Sequence, residues 1–303
     1  MANEYLAMAY DDLNKSKADR LRACGRVLTF AEDGNGQRRL VGADSCRVRL
    51  CPLCSWRRSL KNYWNTTAIV NWLTDHQTDK DVGRYEYIFV TLTVRNCQAD
   101  DLSKTIDQLF AAVKRLSERQ EIRTAWKGTV RNMEVTHNVN PDSPDFDTFH
   151  PHFHMIVAVR PSYFHHDYVT QKRLTELWRD ALRADYDPIV DIRRIKAKRG
   201  DQTTAGAIAE CSKYAAKATD YIIPDDWDLT VGTVRVLDQA LANRRLISYT
   251  GIFRDVKALL NLEDCEDGDL VKVGDQEQPL GADAKLVTYM WYSGYRQYYR
   301  VAY

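Results

Sequence analysis

His150-Pro151-His152-Phe153-His154-Met155-Ile156-Val157-Ala158-Val159 decides the reading of this chain. Successive side chains of a β-strand point to opposite faces. Run as a strand, the stretch puts His150, His152 and His154 on one side and Phe153, Met155, Val157 and Val159 on the other. Such an apolar row suits a core. A row of neutral imidazoles suits a divalent metal, and three of the chain's seven histidines lie here. The row also fits a solvated strand face on which histidines merely cluster.

The preceding segment alternates in the same way. In residues 128–138, Met133 and Val135 share one face while Asn132, Glu134, Thr136 and Asn138 share the other. Pro141-Asp-Ser-Pro-Asp145 turns the chain between the two strands, making a hairpin with a long loop. If the strands pair, Glu134 joins the histidine face. A carboxylate beside two imidazoles is a three-ligand set with open positions; a glutamate on an exposed face is the plainer alternative.

Outward from this hairpin the pattern is mixed. Residues 85–94 alternate, with Ile88, Val90, Leu92 and Val94 opposite Thr91 and Thr93, as in a half-buried strand. Leu102, Ile106, Leu109, Phe110, Val113 and Leu116 mark an amphipathic helix, and Leu174, Leu177, Trp178 and Ala181 another. Residues 189–199 read as a strand entering a basic turn, suited to a nucleic-acid backbone or a solvated edge. The alanine-rich residues 205–221 read as one helix, with Glu210, Tyr214, Lys217 and Tyr221 on one face. That face is equally that of a surface Glu–Lys pairing.

Upstream, residues 1 to about 20 read as a loosely docked polar arm. Two short strands flank the turn-rich residues 32–36. An amphipathic helix follows over residues 55–74; its aromatics, Trp56 among them, read as core, and Arg57, Arg58 and Lys61 as a solvated face or a phosphate contact. Downstream of Pro224 come an extended segment around residues 243–253 and an aromatic terminal hairpin. The expected organisation is 1–75 as arm and cysteine region, 76–222 as core, and 223–303 as an extension.

At 303 residues the chain has ample length for a core, with 43 basic against 42 acidic residues. That balance excludes a histone-like polycation but not a local basic face. The expectation is a soluble cytoplasmic protein, since neither a signal peptide nor a membrane-length apolar run is visible. Cys46, Cys51 and Cys54 fall within nine residues, with Cys24 upstream. In an intracellular chain this spacing points to Zn²⁺ before disulfides, and four thiolates would close a structural site. Free core cysteines or a redox pair are the alternatives.

Five segments in order resemble the rolling-circle replication initiators of small bacterial plasmids, the single-tyrosine branch of the HUH endonuclease superfamily. They are Cys46-Arg-Val-Arg-Leu-Cys-Pro-Leu-Cys54, Phe89-Val-Thr-Leu-Thr93, Met133-Glu-Val-Thr136, His150-Pro-His-Phe-His154 and Lys213-Tyr-Ala-Ala-Lys217. The resemblance spans roughly residues 20 to 255.

It implies an α+β fold, a central antiparallel sheet flanked by helices with the histidines on a middle strand and an N-terminal zinc-binding appendage that helps grip duplex DNA. It further implies His152, His154 and Glu134 as ligands to Mg²⁺ or Mn²⁺, with His150 beside the site. Tyr214 would be the nucleophile, leaving a 5′-phosphotyrosyl enzyme and a free 3′-OH. Lys217, and secondarily Lys213, would assist, and Glu210 would activate water for termination, with Tyr221 as the competing second nucleophile. The implied partners are origin DNA, as duplex and single-stranded hairpin, with a host helicase and polymerase, no membrane, and a dimer as a compatible state. The rivals are a transposase or relaxase of the same superfamily, a non-catalytic zinc-dependent regulator, and a phosphodiesterase using water alone.

Overall fold

A computed structural model describes residues 2–166, 168–195, 202–213, 215–271, 273 and 284–301. In chain order the elements are α1 (Ala2–Asp11), α2 (Lys15–Ala23), β1 (Val27–Glu32), β2 (Arg38–Ala43), α3 (Pro52–Asp75), β3 (Glu86–Thr93), α4 (Leu102–Glu118), α5 (Gln120–Ala125) and β4 (Trp126–Asn138). Then come β5 (Thr148–Val159), α6 (Gln171–Leu182), β6 (Val190–Ile195), α7 (Gln202–Cys211), α8 (Trp227–Leu241), β7 (Ile247–Gly251), α9 (Ile252–Leu259), β8 (Lys285–Tyr292) and β9 (Gln297–Arg300). The fold is α+β, with antiparallel sheets and flanking helices.

Two compact units partition the chain differently from three consecutive segments. One unit comprises 1–61, 221–238 and 263–303; the other comprises 62–220 and 239–262. In the first, β1 pairs with β2 as the expected hairpin, but also with β8 of the terminal hairpin, giving the order β2-β1-β8-β9. Backbone pairing between chain ends thus makes the carboxyl-terminal segment part of this unit.

The amino-terminal residues are not a loose arm. Asn14 caps α2 by accepting from the Lys17 amide at 3.1 Å, and Leu6, Tyr10 and Leu21 are fully buried. Each such side chain contributes about 1.5–3 kcal/mol. In α1 the buried side chains are Leu6, Ala7, Ala9 and Tyr10, whereas the strongly charged α2 buries only Ala18 and Leu21. Along α3 the expected helix is present, yet Trp56 is exposed. The basic trio is spent within the protein: Arg57 donates to the Leu270 and Val271 carbonyls, Arg58 donates to the Arg47 carbonyl, and Lys61 pairs with Glu263.

In the second unit the sheet order is β6-β3-β5-β4-β7, all antiparallel, with β5 in the middle. Its register sets Thr93 and Glu134 on either side of His152, and Thr91 and Asn132 on either side of His154. The alternation expected on β3, β4 and β5 holds. Phe153 meets Phe110 of α4 on one face, at 5.5 Å between ring centroids. On the other face Val130, Ile156 and Ala158 pack with Ile69 and Leu73 of α3, Ile208 of α7 and Phe253 of α9.

The expected helix over 205–221 is the main departure. Helix α7 ends at Cys211, and among the described residues from 212 to 221 Ala218–Asp220 alone is helical, as a short 3-10 turn. The cause is tertiary. The Asn132 amide donates to the Lys213 carbonyl, and the Val135 backbone N–H to the Ala215 carbonyl, each at 2.7 Å. Strand β4 thereby captures carbonyls that a continuing helix would have used internally. Residues 196–201 of the basic turn lie outside the described residues, as does Tyr214.

Candidate active site

Among the described residues two groups have geometry to hold a metal ion: Glu134 with His152 and His154, and Cys24 with Cys46, Cys51 and Cys54.

In the first group, adjacent central strands bring the side chains together on one face. The three residues are 2, 7 and 8 % exposed. His154 Nε2 lies 3.2 Å from Glu134 Oε2 and 3.2 Å from His152 Nε2, and His152 Nε2 lies 3.7 Å from the same carboxylate oxygen. His152 Nδ1 donates to the His150 carbonyl at 3.0 Å, which directs the lone pair of Nε2 toward the centre. Thr91 Oγ1 meets His154 Nδ1 at 3.2 Å and can orient that ring likewise. Two imidazole nitrogens and a carboxylate oxygen fit a divalent cation and leave coordination positions open.

Burial alone would raise the Glu134 carboxyl, but hydrogen bonds from His152, His154 and Lys217 outweigh it and hold the group well below the usual carboxylate range. Lys217 Nζ sits 2.8 Å from Glu134 Oε1, and that hydrogen bond raises the lysine. Glu210, in the last turn of α7, places Oε1 3.8 Å from His154 Nε2 and pairs with Lys213. His150 lies outside the ligand group: its ring stacks on His152 at 5.1 Å, and burial, then His152, lowers its pKa.

The structure therefore brings Glu134, His152, His154, Glu210, Lys213 and Lys217 to one place. It shows Tyr221 elsewhere in use, fully buried with its hydroxyl donated to the Leu50 carbonyl at 2.6 Å. Tyr214 is outside the described residues, yet both flanking carbonyls are held by β4.

Asn132 carried no role in the sequence reading. Its signal was its place two residues before Glu134, on the same face. Another residue missed was His137. Its buried ring stacks on Phe149 and bonds to the Asp220 carbonyl at 3.1 Å and Asp147 Oδ1 at 2.9 Å, anchoring the far end of the 213–220 segment.

In the second group Cys24 follows α2, Cys46 and Cys51 lie between β2 and α3, and Cys54 is in the first turn of α3. Sulfur separations are 3.5 Å for Cys24–Cys51, 3.6 Å for Cys24–Cys54 and 3.7 Å for Cys46–Cys54. A disulfide needs about 2.05 Å. Four sulfurs about 2.3 Å from a tetrahedral zinc stand about 3.8 Å apart. The cluster fits a zinc site. Mutual hydrogen bonds raise the Cys46 and Cys51 thiols, first through Cys24, and lower those of Cys24, first through Cys46, and Cys54, first through Cys24.

The Rep_1 family, described as "Replication protein", matches residues 37–299. The chain belongs to this family. Several similar proteins are designated "Protein rep": one of Bacillus amyloliquefaciens is 36% identical over 299 residues, 93% of this chain and 84% of that one. Another, from Bacillus sp, is 39% identical over 274 residues, 85% of each chain. A third, from Streptococcus pneumoniae, is 32% identical over 284 residues, 93% of this chain and 83% of that one. No solved structure matches. The Rep_1 chain is thus a plasmid replication initiator, and replication initiators bind origin DNA. Among its described residues no helix is long and apolar enough to cross a membrane.

Proposed function

We propose that this Rep_1 protein starts rolling-circle replication by nicking one strand of its plasmid origin, as a single-tyrosine HUH endonuclease. The observation that carries the reading is the convergence of His152, His154 and Glu134, with Glu210 and Lys217 at its edge and β4 holding the carbonyls of Lys213 and Ala215, the residues that flank Tyr214 in sequence. The Tyr214 hydroxyl attacks the scissile phosphorus, the P–O3′ bond breaks, and the leaving strand departs as a 3′-OH that can prime a polymerase. The product is a 5′-phosphotyrosyl enzyme. A free phenol ionises at about pH 10, so the attack needs help at neutral pH.

Lys217 is placed to supply it, by swinging from Glu134 toward the phenolate or the phosphate oxygens. The chemistry expected of a Mg²⁺ or Mn²⁺ held by the three ligands is polarisation of the scissile phosphate. Glu210 is positioned as general base for the water that ends a round by hydrolysis, and the burial of Tyr221 favours it over a second tyrosine. The four-cysteine cluster holds Zn²⁺ and stabilises the unit that carries it.

The test is incubation with Mn²⁺ and end-labelled single-stranded origin DNA. A protein–DNA adduct that survives denaturation and vanishes in Tyr214→Phe is the expected result. Strand cleavage without any adduct would replace the reading with a water-dependent phosphodiesterase. Glu210→Ala is expected to form the adduct and lose its hydrolytic release.

A further inference from the structure

We propose a second DNA contact on the sheet face opposite the metal ligands, made to the phosphate backbone; it rests on DNA being the substrate proposed above. Arg131 is three residues from Glu134 and Met155 one from His154, so both point away from the site by strand alternation. They border a cavity of about 350 Å³ that also takes in residues of α4, α5 and β7. Among its described lining residues Lys114, Arg123, Lys127 and Arg131 are cationic, and none is acidic. In a chain with 43 basic and 42 acidic residues that segregation stands out.

Some other basic groups of the same unit have acidic partners: Arg173 with Glu121, Arg179 with Asp187, Arg244 with Asp107 and Arg194 with Glu86. Lys114, Arg123 and Lys127 make no ion pair among the described residues, and all three are exposed. Concentrating unpaired like charges costs stability unless an anion answers them.

The backbone is shaped to the same end. The register of β4 against β5 slips between Trp126 and Gly128, leaving Lys127 without a partner on β5. A bulge of this kind redirects side chains, and here residues 126 to 129 all border the cavity. Gly251, at φ +52°, makes room for it: a Cβ there would stand 2.1 Å from the Lys127 carbonyl. On the floor Arg131 is held between the Phe110 and Phe153 rings, 4.8 Å from each centroid. Cations from three elements, spread around a rim with the threonine pair Thr129–Thr250, suit successive phosphates of a strand. A nucleobase pocket would call for convergent amide groups instead.

The experiment uses the full chain and the triple variant Lys114→Ala/Arg123→Ala/Lys127→Ala. All three positions are exposed, and a circular-dichroism melt checks that the variant folds as the parent does; Arg131 is left intact because it is half-buried. Binding of fluorescent duplex and single-stranded DNA is measured as a function of salt. For DNA long enough to leave the nick site, the slope of log K against log salt is expected to fall by roughly 3, about one per lost phosphate contact. Adduct formation on a short oligonucleotide at saturation should be unchanged. Wild-type affinity and slope on every length would overturn the second contact while leaving the Tyr214 reaction standing. A missing adduct in the parent would refute nicking, whatever the slope. A third arm adds dAMP: if it binds the parent and not the variant while DNA is indifferent to the substitutions, the cavity is a nucleotide site and the DNA contact is refuted.

Discussion

Asn132→Ala tests how the segment that carries the proposed nucleophile is held. The side chain is 1 % exposed and its amide gives the Lys213 carbonyl a 2.7 Å hydrogen bond, one residue before Tyr214. Truncation removes that bond and strands a carbonyl in a site with little water, a cost of about 1–3 kcal/mol. At about 1.4 kcal/mol per tenfold, docking of the segment weakens by roughly 5- to 150-fold. Asn132 is not a metal ligand, so the metal should bind as before. The assay pairs single-turnover adduct formation at saturating DNA with Mn²⁺ titration by calorimetry. The expected outcome is a rate lowered within that range at unchanged Mn²⁺ affinity. Asn132→Asp should behave as badly, because a carboxylate repels the carbonyl it replaces a donor for. A rate within about twofold of the parent, or a parallel loss of Mn²⁺ affinity, would refute the role.

Other outcomes follow from the same geometry. His152→Ala removes one of three ligand atoms and should abolish Mn²⁺ binding and adduct formation while leaving duplex binding intact, read by calorimetry and gel shift; lost duplex binding would instead make the strand's role structural. Cys51→Ser or Cys54→Ser should release about one zinc per chain to a chromogenic chelator and unfold the unit, since structural zinc contributes on the order of 10–16 kcal/mol. Unchanged zinc content would sink the tetrahedral assignment. Glu134 has a folded pKa below its unfolded one, so its stabilisation is fully present above about pH 4.3 and is lost as pH falls toward the folded value. Melting without added Mg²⁺ or Mn²⁺ should therefore show a shallower acid limb in Glu134→Gln than in the parent; identical limbs would contradict the pairing with Lys217 and the histidines.

The central hairpin was legible because its signal is local. A period of two in residues 128–138 and 150–159 assigns each side chain to a face, and a one-residue slip would turn the apolar row outward. Glu134 opposite His152 follows once the strands pair. The cysteine spacing was legible for a similar reason, although Cys24 joins the cluster only through the packing of α2. The amino-terminal helices were misread because the charged α2 carries a weak periodic signal, and their docking depends on partners distant in sequence, such as Asp238 for Tyr10 and Lys17.

The sequence by itself determined the antiparallel core, the face shared by Glu134 and the histidines, and the cysteine motif, since alternation and spacing are properties of neighbouring residues. Tertiary structure alone decided where α7 stops. Alanine-rich residues 205–221 favour helix throughout, but Asn132, Val135 and His137 offer hydrogen bonds to carbonyls at 213, 215 and 220. Those bonds outweigh intrinsic propensities worth tenths of a kcal/mol per residue. They replace a single helical face with a segment laid along β4, and it is this that sets Lys217 on Glu134. The long-range pairing of β1 with β8 is of the same kind: no local pattern in either strand specifies a partner some 250 residues away, about the separation of Phe30 and Val287.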